Sequence, residues 1–460
     1  MPEQLLAGWG RTSPTRATVV DLRAPAPDAS PGQETLDQVV ADLRGAGSRG
    51  LIVRGLGRSY NDAAQNAGGT VLRLPAGGDW HVDDATGLLT CGAGVRLCDL
   101  IDGLLPRGWF PPVTPGTSHV TVGGMRAADV HGKNHHRDGS IGQHVREIDV
   151  VTSDGELVRL TPTGDRADWF WATIGGMGLT GVIVRATLAL IPVGGPRIRS
   201  VVTRHADLDA LMAGLQAADA HRYSVAWVDG TARGRRFGRG LVASGEHVSV
   251  GPPSQASEAS APKRRGHAVG PLLSVPLTTP VTPLNRWTVA AFNEAWYRKP
   301  GVGEHLTSVR SFFHPLDTVG GWNRIYGPRG FVQYQFVVPE AAVDLVRRAL
   351  LALQGIGARS FLTVLKRFGP GNPAPLSFPA SGWTLALDLP AAVPGLAQVL
   401  DGLDEQVAAA GGRVYLAKDG RVRPAVLAAM YPRLDEWRAT RAAMDPGGVM
   451  VSDLGRRLSL

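Results

Sequence analysis

The segment Arg54–Asp62, with the sequence RGLGRSYND, restricts what this chain can fold into more than any other. It follows a short apolar run, Leu51–Val53, which predicts a strand that leads into a loop. Gly55 and Gly57 carry no side chains that would keep backbone amides away from phosphate oxygens, and the neighbouring arginines add positive charge. The loop is therefore predicted to hold the pyrophosphate of a dinucleotide.

A second glycine turn, Thr121–Gly124, is followed by histidines and a lysine in the segment Asp129–His136. Two loops that can approach phosphates, with titratable side chains beside them, indicate a redox cofactor with chemistry next to it. The first loop does not fit a nicotinamide-binding fingerprint, because Tyr60 occupies the third glycine position and no helical pattern follows. Gly132 and Asn134 interrupt the helical spacing of the histidines, so no metal site is predicted.

Composition limits the class of protein. The 460 residues suffice for two domains or for one domain with a large insertion, and 43% hydrophobic residues can form sizeable cores. A net charge of +8 favours anionic ligands or an anionic membrane surface. Zinc-finger spacing and aromatic–basic RNA motifs are absent from the sequence, so nucleic acid is not an expected partner. No signal peptide and no apolar run long enough for a membrane-spanning helix is visible.

Arginine is the prevalent cation, which makes the lysines informative. Of the 48 basic residues only five are lysines, and three of these, Lys133, Lys366 and Lys418, fall in motifs described below. A lysine retained where arginine prevails can mark a need for a compact charge or a tunable proton. For any single lysine, chance is the alternative explanation.

The hydrophobic pattern divides the chain into three regions, 1–195, 196–410 and 411–460. For the first region it predicts a helix from the N-cap Ser30 and Pro31 to Gly45, a helix through 97–104, hairpin turns at Thr86–Gly87 and Asp154–Gly155, and a buried strand over 181–188. For the second it predicts strands over 223–228, 331–338, 361–366 and 383–389 and helices over 207–219, 340–353 and 394–409, an alternation that suits a sheet with helices on one face. Residues 251–268 cannot bury much surface and are predicted to form a mobile loop. The third region is predicted to contain a strand over 413–416 and two helices.

Several motifs together resemble those of a flavoprotein superfamily. Arg54–Asp62, Pro115–Thr117, Thr121–Gly124 and Gly175–Gly181 are similar to the FAD domain of the vanillyl-alcohol-oxidase/p-cresol-methylhydroxylase (VAO/PCMH) flavoproteins. In those proteins an N-terminal half and a short C-terminal return clasp FAD, with a substrate-binding cap domain between them. The resemblance implies an α+β fold of two domains, in which a VAO/PCMH-type FAD-binding domain carries an inserted cap domain built on an antiparallel sheet with helices on one face.

Further motifs resemble one enzyme family within that superfamily, the decaprenylphosphoryl-β-D-ribose 2-oxidases. They are HGKNHH at 131–136, WNRIYG at 322–327, QYQ at 333–335, KRFGPGN at 366–372, AKD at 417–419 and YPRLDEW at 431–437. This family supplies the flavoprotein half of an actinobacterial epimerase that makes the arabinose donor for cell-wall polymers. The resemblance implies FAD-dependent oxidation of the ribose 2-hydroxyl of a polyprenyl-phosphate sugar, with a separate short-chain reductase completing the epimerisation. Two alternatives stay open: an alditol or aldonolactone oxidase of the same fold that uses O₂ on a soluble sugar, and a non-catalytic FAD-fold scaffold.

The resemblance also assigns roles to individual residues. The cofactor contacts that it implies are Val53, Arg54, Gly55, Leu56, Gly57, Arg58, Ser59, Tyr60, Asn61, Asp62, Gly116, Thr117, Thr121, Val122, Gly123, Gly124, Ala128, Asp129, Val130, His131, Gly132, Ile183 and Tyr415. The substrate contacts that it implies are Tyr60, Lys133, Trp227, Phe313, Arg324, Gln333, Gln335, Lys366, Thr384, Ala386 and Lys418; for Trp227 and Phe313, core packing is the alternative. The implied catalytic residues are His131 and Lys418, the latter either as acceptor of the hydroxyl proton or as a positioning group.

Three positions depart from the family pattern. Arg58 stands before Ser59, where many relatives attach FAD through a histidine, so FAD is predicted to bind tightly without a covalent link unless His131 or another histidine supplies one. Ala386 stands where mycobacterial members commonly carry a cysteine that captures activated nitroaromatic inhibitors, so turnover is expected without covalent inhibition. Asn61 replaces a usual glycine, and asparagine adopts positive φ more readily than most residues, so the loop is expected to be kept.

The same resemblance bears on location. The family has been placed at the periplasmic side of the cell envelope, and a lipid-linked substrate together with a basic surface predicts a peripheral position at the membrane. Because no export signal is visible in the sequence, the cytoplasmic face stays open as an alternative.

Overall fold

The computed structural model describes residues 3–22, 33–248, 273–280, 282–299 and 301–460. The predicted start of the first helix at Ser30 and Pro31, and the predicted mobile loop at 251–268, lie outside these ranges.

The N-terminal region forms two main sheets with short helices between their strands. Its strands are β1 Glu3–Leu6, β2 Thr15–Asp21, β3 Leu51–Arg54, β4 Thr70–Arg73, β5 Trp80–Asp83, β6 Leu88–Gly92, β7 Trp109–Phe110, β8 Val145–Val151, β9 Leu157–Leu160, β10 Val182–Ala189 and β11 Ile191–Pro192. Its helices are α1 Gln33–Arg44, α2 Leu97–Leu104, α3 Val122–Ala127, α4 His135–Asp138 and α5 Ala167–Thr173.

The strands of this region form two main sheets, with turns at the two predicted hairpin positions. One sheet has the order β1-β2-β4-β3, with parallel pairs between β2, β4 and β3, and the other is the antiparallel sheet β5-β6-β10-β8-β9. The turn at Gly155 closes a five-residue loop, 152–156, in which the Thr152 amide donates to the Glu156 carbonyl at 2.9 Å. The helix predicted through 97–104 is confirmed as α2, and its residues Leu97, Leu100, Ile101 and Leu104 are buried.

The middle region is a sheet with helices on one side. Its strands are β12 Arg197–His205, β13 Tyr223–Val228, β14 Gly240–His247, β15 Leu273–Ser274, β16 Gly303–Ser308, β17 Val319–Gly320, β18 Phe331–Val338, β19 Thr363–Phe368 and β20 Gly382–Pro390. Its helices are α6 Leu208–Ala217, α7 Arg286–Arg298, α8 Val309–Phe313, α9 Asp344–Gly355 and α10 Leu396–Ala409. The C-terminal region adds β21 Arg413–Val414 and the helices α11 Pro424–Met430, α12 Leu434–Met444 and α13 Asp453–Leu458.

The main sheet of the middle region is antiparallel, with the strand order β16-β12-β14-β13-β19-β20-β18-β21. Alternate residues of a strand point to opposite faces, and here one set packs against helices. Phe336 and Val338 on β18 and Leu385 and Leu387 on β20 are buried in the same apolar core as α6, α9 and α10. The side chains on the other face of the sheet therefore point away from this core, towards the N-terminal region.

Three sequence predictions need correction. The strand predicted at 361–366 runs from Thr363 to Phe368, because a local turn in which the Leu362 amide donates to the Ser360 hydroxyl delays its start. The strand predicted at 413–416 ends at Val414, since the amides of Lys418 and Asp419 both donate to the Tyr415 carbonyl and turn the chain. The described C-terminal region holds three helices rather than two.

The C-terminal region connects both halves of the molecule. Its strand β21 pairs with β18, so the cap sheet extends past the predicted boundary at residue 410. Further on, Met450 bridges to Leu51 beside β3, and Arg457 binds the Asp62 carboxylate at 2.7 Å. No helix within the described ranges combines the length and apolarity needed to cross a membrane.

Candidate active site

A single cavity of about 940 Å³ lies between the glycine loops of the N-terminal region and the free face of the cap sheet. Its size is at the upper end of what small-molecule and cofactor sites require. Its walls include both glycine segments, residues of the 128–133 segment and side chains from strands β13, β18, β19 and β20.

The first glycine loop has the backbone freedom that the sequence indicated. Gly57 has a φ of +63°, in the left-handed region, and a Cβ built on it would lie 2.3 Å from Arg54 Nη2. The amides of Leu56–Ser59 donate no hydrogen bond to any described residue, so they are free to bind an anionic oxygen in the cavity. Arg58 lies over the ring of Trp9 at 4.0 Å, and its Nε has no protein partner in the described part of the chain.

The second glycine turn is arranged differently from the prediction that its amides hold a phosphate. The Val122 amide donates to the Val95 carbonyl at 2.9 Å, and the Gly123 amide donates to the Ala93 carbonyl at 2.8 Å. The Gly124 amide donates to the hydroxyl of Thr121, the N-cap of α3, at 3.3 Å. All three amides are therefore already bonded within the protein. A Cβ at Gly55 would lie 2.4 Å from Thr121 Oγ1, so the role of the turn is to pack against the first loop.

The free face of the cap sheet forms the opposite wall. Gln333 and Gln335 on β18 alternate with the core residues of that strand, and Ala386 on β20 lies directly opposite Gln335 in the strand register. Lys366 on β19 and Trp227 on β13 extend the same wall. The spacing of two residues in the motif QYQ is thus explained by the sheet, which turns both glutamines towards the cavity.

His131 is buried at the junction of the two walls. Its Nε2 lies 3.0 Å from Gln335 Nε2, so the amide donates to an unprotonated ring nitrogen, while Nδ1 has no partner among the described residues. Burial, together with the charges of Lys366 and other cationic neighbours, lowers the pKa of His131 well below its ordinary value. The imidazole is therefore neutral, and one of its nitrogens has no protein partner within the described residues.

Lys418 lies across the cavity in a small polar network. Its Nζ is 3.8 Å from the centre of the Tyr60 ring, and Gln333 Nε2 donates both to the Tyr60 hydroxyl at 3.0 Å and to the carboxylate of Asp388. Burial lowers the pKa of Lys418, the Asp388 carboxylate opposes that shift, and Lys366 adds to it. Burial likewise raises the pKa of Asp388. The lysine is thereby brought towards the pH range where it can exchange a proton.

Two further lysines, Lys133 and Lys366, line the cavity. Lys133 donates to the Phe312 carbonyl and lies 4.3 Å from the Phe312 ring centre, and burial followed by the charge of Lys366 lowers the pKa of Lys133 to about 7. Burial lowers the pKa of Lys366 to about 8. Buried lysines without a carboxylate beside them are costly, and an anionic ligand would restore their charge.

Most of the predicted site residues line this cavity. They are Val53, Gly55, Leu56, Gly57, Arg58, Ser59, Tyr60, Gly116, Thr117, Thr121, Gly123, Gly124, Ala128, Val130, His131, Gly132, Lys133, Ile183, Trp227, Phe313, Gln333, Gln335, Lys366, Ala386, Tyr415 and Lys418.

The remaining predicted residues lie outside the cavity walls: Arg54, Asn61, Asp62, Val122, Asp129, Arg324 and Thr384. Arg54 donates to the Ala7 and Ala64 carbonyls beneath the loop, at 2.7 and 3.0 Å, and Arg324 donates to the Val275 and Pro276 carbonyls, at 2.8 and 2.7 Å. Asp62 pairs with Arg457.

Asn61, Asp129 and Thr384 likewise make hydrogen bonds within the protein. Asn61 has a φ of −126°, so no left-handed conformation is needed there, and its amide donates to the Lys418 carbonyl at 3.0 Å. Asp129 accepts bonds from Ser140, Asn372 and the Gly142 amide, at 2.7 to 2.9 Å. The Thr384 hydroxyl accepts from Gln335 at 3.3 Å. Each of these three residues therefore holds a residue or loop of the site in place without lining the cavity itself.

Two residues with contacts at the site were missed by sequence reasoning. Asp388 lies in strand β20 directly opposite Gln333, and only the strand pairing reveals that it faces the Lys418 network. Asp317 accepts bonds from the Thr117 hydroxyl at 2.6 Å and from the Ser118 amide and hydroxyl, both at 2.7 Å. It ties the cap to the N-terminal region at the wall of the cavity, and no sequence signal linked residues so far apart.

Comparison with known proteins agrees with this geometry. The model of the family described as "FAD binding domain" matches residues 33–161. Decaprenylphosphoryl-beta-D-ribose oxidase of Mycolicibacterium smegmatis is 42% identical over 99% of this chain and 97% of its own length. The chain belongs to the decaprenylphosphoryl-β-D-ribose oxidase family. It is an FAD-dependent oxidoreductase of the α+β, VAO/PCMH type.

Two other relatives differ in how much of this chain they match. An uncharacterized protein of Streptomyces coelicolor is 43% identical over 79% of this chain and 99% of its own length. An alditol oxidase of a Streptomyces species is 31% identical over only 33% of this chain and 36% of its own length. The likeness to the oxidase family therefore covers both walls of the cavity, whereas that to the alditol oxidase covers about a third of the chain.

The residues present fit FAD. The first glycine loop offers free amides in a left-handed turn beside Arg58, and a Cβ at Gly116 would meet no atom within 4 Å, so the cavity wall is open there. Tyr415 and Ile183 line the same space.

Proposed function

We propose that this protein oxidises the ribose 2-hydroxyl of decaprenylphosphoryl-β-D-ribose to the 2-keto intermediate, the first step in epimerisation to the arabinose donor for cell-wall arabinan. The observation that carries the proposal is one continuous cavity that joins the free glycine-loop amides to a wall holding Lys418, His131 and Gln335. The full-length likeness to a decaprenylphosphoryl-beta-D-ribose oxidase supports this substrate over a soluble alditol.

The cofactor is assigned to the N-terminal side of the cavity. The amides of Gly55–Ser59 and the guanidinium of Arg58 would hold the pyrophosphate. No histidine precedes Ser59, and His131 is already bonded to Gln335, which supports FAD held without a covalent bond. When bound, FAD supplies the acceptor for the hydride that leaves the carbinol carbon.

The hydroxyl proton is assigned to Lys418. Oxidation of a secondary alcohol releases a hydride from carbon and a proton from oxygen, and the proton needs an acceptor. A buried amine with a lowered pKa is neutral for part of the time near neutral pH, and the Asp388 carboxylate can stabilise the ammonium ion that forms. His131, neutral and with a free nitrogen, is assigned to orient the sugar hydroxyls together with Gln335.

The phosphate is assigned to Lys133 and Lys366. Both are buried in the cavity walls, and neither makes an ion pair within the described residues. A phosphate diester near them would favour their charged forms. A short-chain reductase that consumes the 2-keto product, and a peripheral position at the membrane of the cell envelope, complete the proposal.

Anaerobic reduction of the bound flavin tests this function. Decaprenylphosphoryl-β-D-ribose should bleach the flavin absorbance, a soluble alditol should not, and the Lys418→Met variant should hold flavin but bleach slowly. Bleaching by the alditol alone would favour the alditol oxidase alternative. Failure of every sugar to bleach a loaded flavin would favour a non-catalytic scaffold.

A further inference from the structure

Exposed apolar side chains are concentrated in one part of the cap. Of the ten large apolar side chains that are exposed among the described residues, six lie between Leu273 and Leu306. They are Leu273, Leu277, Trp287, Phe292, Val302 and Leu306, with exposed fractions from 44% to 78%. Scattered exposed leucines are ordinary, but a concentration of this kind marks an interaction surface.

Helix α7, at the centre of this segment, has one buried face and one exposed face that also carries apolar residues. Val289 and Asn293 point inward and are buried, as a core-facing stripe should be. The outward face also carries apolar residues, Trp287 at 69% exposure with Ala291 and Ala295 along the same stripe. An ordinary surface helix would present charged residues there.

The basic groups of this segment outnumber its acids. Arg286 and Lys299 are exposed, Glu294 is paired with Arg239 and Arg298, and the exposed Glu304 of β16 is paired with Arg199 at 3.5 Å. At both ends of the helix a basic group lies over a tryptophan ring, Arg286 over Trp287 at 4.4 Å and Lys299 over Trp296 at 4.5 Å. Tryptophan rings flanked by basic side chains favour the boundary between the headgroups and the acyl chains of a bilayer.

The apolar surface continues into the cavity. Trp296, Lys299, Val302 and Leu306 line the cavity wall, and Val302 and Leu306 are 47% and 60% exposed, so they lie at its mouth. Helix α7 has 13 residues and is therefore about 20 Å long. Its C-terminal end, with Trp296, reaches this cavity, whereas Trp287 projects from the opposite side of the helix nine residues earlier.

We infer that the outer face of α7 and the adjoining strand β16 dock on the surface of an anionic lipid bilayer, with the cavity mouth turned towards the membrane. We call this surface the docking face, formed by Arg286, Trp287, Arg298, Val302 and Leu306. It rests on the proposed function, because a polyprenyl chain would then pass from the bilayer along Val302 and Leu306 into the cavity. The positive charge selects anionic headgroups, and the exposed rings supply apolar burial.

Vesicle flotation of the flavin-loaded, full-length protein tests the docking face. The vesicles are phosphatidylcholine alone or with phosphatidylglycerol, at low and high salt. We expect binding to the anionic vesicles that weakens with salt, and at least a tenfold loss of partitioning in the double variant Arg286→Gln/Trp287→Ser. One basic group near an anionic surface contributes about fivefold, and burial of an indole ring contributes more.

The matched control is Arg348→Gln/Leu351→Ser on helix α9, where both side chains are also exposed. It should partition as the unaltered protein does. Equal loss in both variants, or no binding of the unaltered protein to anionic vesicles, would overturn the inference. A change of sedimentation behaviour in the Arg286/Trp287 variant without any vesicle binding would also overturn it, because it would identify the face as a contact between protein chains.

Two measurements keep this inference distinct from the proposed function. Flavin content and the far-ultraviolet spectrum of each variant report whether it is folded. Vesicle binding requires no turnover, so a protein that binds vesicles but leaves decaprenylphosphoryl-β-D-ribose unoxidised would retain the docking face and refute the proposed reaction. A protein that oxidises a micellar substrate but does not bind vesicles would support the proposed reaction and refute the docking face.

Discussion

Replacement of Gly57 by alanine should weaken FAD binding by about a hundredfold. The φ of +63° at this position costs an alanine about 1–2 kcal/mol. The new Cβ would also lie 2.3 Å from Arg54 Nη2, so the guanidinium would have to move. That guanidinium donates to the Ala7 and Ala64 carbonyls, and losing one such charged hydrogen bond costs about 1.5–3 kcal/mol.

The two contributions together give about 3 kcal/mol, which corresponds to about a hundredfold in affinity if FAD binding requires the native loop. The dissociation constant of FAD, measured by titrating the apoprotein, tests this value. Denaturant unfolding of the apoprotein shows how much of the strain appears as lost stability instead.

Gly47→Ala is the control, because Gly47 has no left-handed φ and its Cβ would meet no atom within 4 Å. It should leave FAD affinity unchanged. If Gly57→Ala binds FAD within about threefold of the unaltered protein and loses no stability, the left-handed loop is not what positions the amides, and the reasoning from this loop to the cofactor is wrong.

Four further outcomes are expected. Lys418→Met should slow anaerobic flavin reduction by about 10²–10⁴-fold with FAD still bound; an unchanged rate would exclude Lys418 as proton acceptor. The value of kcat/KM should rise with pH as the Lys418 ammonium loses its proton, then fall as the two phosphate-binding lysines, Lys133 with a pKa of about 7 and Lys366 with a pKa of about 8, lose their charge. Lys366→Arg should remove the part of the fall near pH 8, and an unchanged fall there would contradict the assignment of Lys366 to the phosphate. Asp317→Ala should lower the free energy of unfolding by about 1–3 kcal/mol by freeing Thr117 and Ser118, whereas the exposed Asp165→Ala should not, as denaturant titration would measure. Acid precipitation should release the flavin into the supernatant, and a yellow pellet would reveal a covalent bond.

Local patterns in the sequence were sufficient for much of the fold. Gln333 and Gln335 are two residues apart, with Tyr334 between them and apolar residues on both sides, which indicates a strand with one face on a core. The structure turns both glutamines to the cavity. The stripe of α2 and the glycine loop after β3 were equally readable. Such features depend on neighbours close in the chain, where periodicity and backbone freedom act directly.

Contacts between distant segments could not be read in this way. The sequence of the second glycine turn is compatible with phosphate binding, yet its amides donate to Val95 and Ala93, because the turn packs against another strand end. The roles of Asp388 and Asp317 likewise depend on strand pairing and on the approach of the cap to the N-terminal region.

The amino-acid sequence by itself therefore determined the dinucleotide loop, the lysines available for chemistry and the strands that present them. Only the tertiary structure decided which backbone amides stay free, which carboxylate faces Lys418 and which helix face stays uncovered beside the cavity mouth. The physical reason is that a hydrogen-bond donor or a charge acquires its function from the partners that folding brings to it. Those partners lie far away along the chain.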